Sequence, residues 1–126
     1  MRTVLGVVAL VASLFVWSQP AKATALELLG QCETLIAGAQ VNGDSVRLPQ
    51  NPDAFVCWGF MSAIQEASAL TNSPGSCGIL GATPPPETTL LQMVRVFVQY
   101  ARLHPKDLHK RAALVAMLSL REAFPC

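Results

Sequence analysis

Residues 90–103 read LLQMVRVFVQYARL, and Thr89 stands immediately before them. Leu90, Val94, Phe97, Val98 and Ala101 recur at helical spacing and form one apolar stripe. Gln92, Arg95, Gln99 and Arg102 form the opposite, polar stripe. Thr89, with Gln92 three residues on, is a capping box, in which each side chain satisfies a backbone N–H that the first helical turn leaves without a partner. A stripe on each side of a capped segment predicts a surface helix with one face committed to a core.

Working outward, the rest of the chain is also helical in pattern. Downstream, Pro105 follows His104 and opens another helix. Ala112 to Leu120 contains one polar residue, Ser119, so this helix is expected to be the central one, packed on several sides. Phe124-Pro125 ends it. Upstream, Ala25 to Ala37 places Leu28, Cys32, Leu35 and Ile36 on one face, with Gly38 as the stop. Asn51 caps a further helix, with Pro52 in its first position and Asp53 at its positive end. Cys57, Phe60, Ile64 and Ala67 repeat along that helix, which should end near Thr71-Asn72-Ser73-Pro74-Gly75. Between these two lies a loop with Asn42-Gly43-Asp44 as a turn. No segment alternates cleanly over four or more residues. The expectation is an all-α, compact four-helix domain with little or no sheet.

Composition sets the class. Of 126 residues, 52% are hydrophobic and 13% charged, which excludes a disordered chain. The net charge of +1 shows no basic face for nucleic acid. At the start, Arg2 precedes Val4 to Trp17, a charge-free apolar run. It is shorter than the roughly 17–25 residues of a membrane span. Ser18, Gln19 and Pro20 break it, and Ala21-Lys22-Ala23 offers the small residues of a cleavage site. Ala23-Thr24-Ala25 offers a second. The reading is a signal peptide over 1–23, with an uncleaved anchor as the alternative, and a single helical domain over 24–126. Cleavage removes Arg2 and Lys22, so the basic count falls from 9 to 7 against 8 acids, giving about −1. The short signal points to a bacterial periplasm, with no membrane contact after cleavage. That compartment is oxidising, so its cysteines are expected to pair.

Four cysteines allow three pairings. Cys32 and Cys57 sit on the apolar faces of helices adjacent in sequence. Cys77 lies among helix breakers, and Cys126 ends the chain. Cys32–Cys57 and Cys77–Cys126 are the favoured disulfides, with free buried thiols as the alternative. No C-x-x-C pair exists for redox chemistry.

Catalytic chemistry finds little support. His104 and His109 are the only histidines, and a spacing of five puts them on different sides of a helix. His104 reads as the cap of the fourth helix and His109 as a residue on its surface. The eight carboxylates are scattered, no glycine-rich phosphate loop appears, and no cofactor or metal is expected. Trp58 and Phe60 read as core rather than as a ligand platform.

The C-terminal block is specific. Thr89-x-x-Gln92, then Tyr100, then His104-Pro105-x-x-Leu108-His109, Ala112-Ala113 and the ending Ala123-Phe124-Pro125-Cys126 resemble the Rap/Tai family of immunity proteins. These protect bacteria from peptidoglycan amidases delivered by type VI secretion. Cys57-Trp58-Gly59-Phe60 resembles the family's C-x-G-[YF] segment, and Cys32 matches its first-helix cysteine. One segment departs: Cys77 is followed by a longer stretch, Gly78 to Thr88, with three prolines. The resemblance implies a non-enzymatic helical protein of the periplasm, often dimeric, that docks on the catalytic groove of a cognate secreted amidase. The alternative is a general periplasmic helical binding or chaperone-like module.

Buried faces are committed to the core, so a partner must use the rest. The candidate surfaces are the loops Gly43 to Gln50 and Gly78 to Thr88, with Arg95, Gln99 and Arg102. The second loop is favoured. Cys77 and the capped helix anchor its ends, prolines stiffen it, and it carries Ile79 and Leu80, which either stand exposed to enter a groove or pack back on the bundle.

Overall fold

The computed structural model describes residues 23–73, 77, 78 and 80–126; the expected signal segment, through residue 22, lies outside these. Four helices form the domain: α1 (Ala25–Gly38), α2 (Pro52–Thr71), α3 (Leu90–Leu103) and α4 (Ala112–Ala123). A hairpin of β1 (Gln40–Asn42) and β2 (Ser45–Arg47) joins α1 to α2, and a short 3-10 turn, Pro105–Asp107, precedes α4.

Capping explains where the helices begin. Thr24 Oγ1 accepts the Glu27 amide, and Asn51 Oδ1 accepts that of Asp53. At α3 both halves of the capping box form: Gln92 N–H donates to Thr89 Oγ1, and Thr89 N–H donates to Gln92 Oε1 at 2.7 Å. The first turn of α1 gains a second set of partners. Ala25 and Leu26 donate their amides to the carbonyls of Lys110 and Leu108, and Ala112 donates to Ala23. Amides that a helix start leaves open are thus satisfied by the segment leading into α4.

The hairpin departs from the expectation of loop alone. Val41 pairs with Val46, and the two central turn residues are Gly43 and Asp44. Gly43 has φ 59°, the positive value that a two-residue hairpin asks of its first central position. At Gly38, a Cβ would lie 2.6 Å from Pro49 Cβ, so only glycine lets the chain return to α2 so closely.

α1 and α3 are the central pair. Each packs on the other three helices, whereas no substantial packing joins α2 to α4. Phe97, Leu35, Met61, Met93, Val94, Val115 and Leu120 fill the space between. This corrects the placing of α4 at the centre: it lies to one side, and its apolar Leu114 is exposed. The buried face of α2 is also rotated from the expected stripe. Ala54, Cys57, Met61, Ile64 and Ser68 are inside; Phe60 is half-buried and Ala67 exposed. Trp58 and Phe60 pack against the core as expected.

Both disulfides have the favoured pairing. Cys32–Cys57 joins α1 to α2 inside the core, with both residues fully buried. Cys77–Cys126 ties the segment after α2 to the end of the chain. Further bonds hold that segment down. Asn72 Nδ2 donates to the Ala82 carbonyl, and Thr83 N–H donates to the Phe124 carbonyl at 2.9 Å.

Candidate functional site

The capped start of α3 and its buried stripe fix which side chains face outward. Leu91, Val94, Phe97, Val98 and Ala101 enter the core, so Gln92, Arg95, Gln99 and Arg102 must project from the other side, and all four are exposed. Three of the expected partner-binding residues, Arg95, Gln99 and Arg102, therefore share one face.

The other two do not join them. Leu80 is 3% exposed and belongs to the core cluster, with Ala82 beside it in sequence at 0%. Of the two placings open to Leu80, it is packing back on the bundle that occurs, which removes Leu80 from the candidate partner surface. The turn at Gly78 and Gly81, both with positive φ, folds the segment back on the bundle, and apolar burial is the more favourable use of a leucine. Ile79 lies outside the described residues. Among the described residues of this loop, Thr83, Pro85, Pro86 and Glu87 are exposed.

Grooves run along both sides of the α3 face. One, of about 430 Å³, lies where α3 meets α1, with Ile36, Arg95, Val98, Gln99, Arg102 and Leu103 along it. A second, of about 190 Å³, separates α3 from α4; Gln99, Tyr100 and Leu103 line it with Ser119 and Glu122. A third, of about 370 Å³, brings Glu87, Gln92 and Arg95 together with Phe124. Gln99 and Leu103, one helical turn apart, form the ridge between the first two. Leu103 is 68% exposed and was not among the residues singled out from the sequence.

Charge on this face is partly compensated. Arg102 Nε donates to Glu33 Oε1 at 2.9 Å, joining α3 to α1. With both groups well exposed, the pair contributes about 0–1 kcal/mol, and its main effect is to orient the guanidinium. Arg95 makes no ion pair among the described residues.

At the end of α3 the histidine is occupied structurally. The His104 ring stacks on Tyr100 with centroids 3.9 Å apart, and its Nδ1–H donates to the Tyr100 carbonyl at 2.8 Å. It caps the end of α3 rather than the start of α4. Burial, with Asp107 nearby, pushes the Tyr100 phenol up from its ordinary value. The Lys110 ammonium, 2.8 Å away, holds the Asp107 carboxyl below its ordinary value. His109 is exposed. Among the described residues no three His, Cys, Asp or Glu side chains gather as a metal site.

Comparison with known proteins gives one family. The model of the Rap1a immunity proteins matches residues 24–126. No curated protein and no solved structure matches the chain.

Proposed function

The chain belongs to the Rap1a immunity protein family, and from that premise we propose that it occludes a peptidoglycan amidase delivered by type VI secretion, acting in the periplasm. Membership makes the protein non-enzymatic and implies a cognate effector.

The observation that carries it is the α3 face. Arg95, Gln99, Arg102 and Leu103 project from a helix that is capped at one end, packed on three others and braced to α1 by Glu33. Such a face loses little conformational freedom on docking, so more of its contact energy appears as affinity. The mechanism is steric: the ridge fills the amidase groove and denies it the peptide stem. Two disulfides suit an oxidising compartment. A homodimer, which the resemblance implies, would present two such faces.

A second reading, the general binding or chaperone-like module, has one observation in its favour. Phe55, Val56 and Leu70 are exposed apolar residues of α2. A module of that kind would hold unrelated unfolded proteins, as an immunity protein would not.

The test is protection in cells. Bacteria given a periplasm-directed type VI amidase should lyse, and co-production of this protein with its signal should restore growth. Lysis that persists against every such amidase, with the protein present in the periplasm, would reject the reading.

A further inference from the structure

The groove between α1 and α3 has a chemical character of its own. Half-buried Ile36 supplies an apolar floor, with core Val98 nearly closed beside it, and Leu103 supplies an apolar wall. The charged side chains along it are Arg95 and Arg102, seven residues apart on the same helix face. Two helical turns separate them by about 10 Å. That length matches about three residues of extended chain.

The two guanidinium groups are not equivalent. Glu33 already engages Arg102 at 2.9 Å. Arg95 has no ion-pair partner among the described residues, and Glu87, an acid that shares a groove with it, lies on the other side beside Phe124. The groove therefore has an apolar surface with one uncompensated cation at one end. An inorganic phosphate dianion fits poorly, since it would need more cations and gains nothing from Val98, Ile36 and Leu103. A planar carboxylate suits a single guanidinium, which can hold it through two parallel N–H donors.

We propose that this groove seats a short extended polypeptide segment of the partner protein, with an apolar side chain between Ile36 and Leu103 and a carboxylate side chain on Arg95. This rests on the reading of the α3 face as the effector surface and adds the chemistry that the effector must present there. Leu103 and Arg95 are the residues that select the partner; Arg102, held by Glu33, positions the groove wall.

The experiment uses the disulfide-bonded protein and two capped pentapeptides. One has leucine followed by glutamate at its centre, and the other has glutamine in place of glutamate. Binding is followed by amide and side-chain shifts in two-dimensional nuclear magnetic resonance. The glutamate peptide should perturb Ile36, Arg95, Val98 and Leu103 and bind about threefold more tightly than the glutamine peptide, as expected for one solvent-exposed ion pair. Arg95→Gln should erase that preference, with the rest of the spectrum unchanged. Equal affinity for the two peptides, perturbations away from the groove, or no binding at millimolar concentration would overturn the proposal. The two readings fail separately. A protein that restores growth but ignores the peptide loses only this inference, and one that binds the peptide but protects against no amidase loses only the function.

Discussion

Replacing Leu80 with alanine separates a core leucine from an interface leucine. Leu80 is 3% exposed and packs in the same cluster as Ala82, in a segment tied down by Asn72, Phe124 and the Cys77–Cys126 bridge. Truncating a buried leucine removes its transfer energy and leaves a cavity, for about 2–5 kcal/mol. Here the lower part of that range applies, about 2–3 kcal/mol, because a loop can settle into the gap more readily than a helix. For a domain near 100 residues, 1 kcal/mol moves the melting temperature by about 4–8 °C. Leu80→Ala should therefore lower it by about 10–20 °C, read by circular dichroism, and lower the urea midpoint with an unchanged slope. Partner affinity at a temperature where the variant is folded should be unaffected. A melting temperature within about 3 °C of wild type, together with lost binding, would refute the burial of Leu80 and return it to the interface.

Leu103→Ala should give the reverse pattern, since Leu103 is mostly in solvent: melting within a few degrees of wild type, and weaker binding to the effector. Brief treatment of the native protein with a dithiol, then alkylation, should label Cys77 and Cys126 before Cys32 and Cys57. Cys126 is exposed, while both core cysteines are buried; labelling of all four together would contradict this order. The outer bridge spans 49 residues, and by the chain-entropy estimate its removal through paired serine substitution should cost about 4 kcal/mol, as a urea titration can show. Because the Lys110 hydrogen bond lowers the Asp107 carboxyl in the folded state, its stabilisation is present above the unfolded carboxylate range and is lost as the pH falls through the folded value. The difference in melting temperature between wild type and Asp107→Asn should therefore be present at pH 7 and shrink below about pH 4; a difference independent of pH would exclude the contact.

The sequence made α3 legible because one helix there carries every cue at once: a capping box, an apolar stripe and an opposing polar stripe. It made the cysteine pairing legible because Cys32 and Cys57 share apolar faces. What it concealed has physical causes. The hairpin strands are three residues each, too short for alternation to register, and only the Asn42-Gly43-Asp44 turn was readable there. α2 is apolar on much of its circumference, so periodicity could not tell Met61 from Phe60 as the inward position. α4 shows the same limit: apolar residues at Leu114 and Leu118 suggested a central helix, yet its buried face is formed by Ala112, Val115, Ala116, Ser119 and Leu120. At the site, Arg95, Gln99 and Arg102 followed from the polar stripe. Leu103 did not, because an apolar residue at a helix end reads as core until the packing shows nothing above it. Leu80 stayed open between exposure and burial, because a leucine in a breaker-rich loop has no periodicity to place it; in the fold it is buried, in a segment that meets the C-terminal end through the Thr83–Phe124 hydrogen bond.

The most direct test of the central claim is a titration of a purified type VI peptidoglycan amidase with this protein, following hydrolysis of peptidoglycan. For the cognate amidase, activity should fall linearly to near zero at one immunity protein per enzyme. A charge reversal at Arg95 should shift the curve to higher concentration while the variant melts as wild type does. Full activity of every such amidase at excess protein, or inhibition that Arg95→Glu and Leu103→Asp both leave intact, would contradict the account.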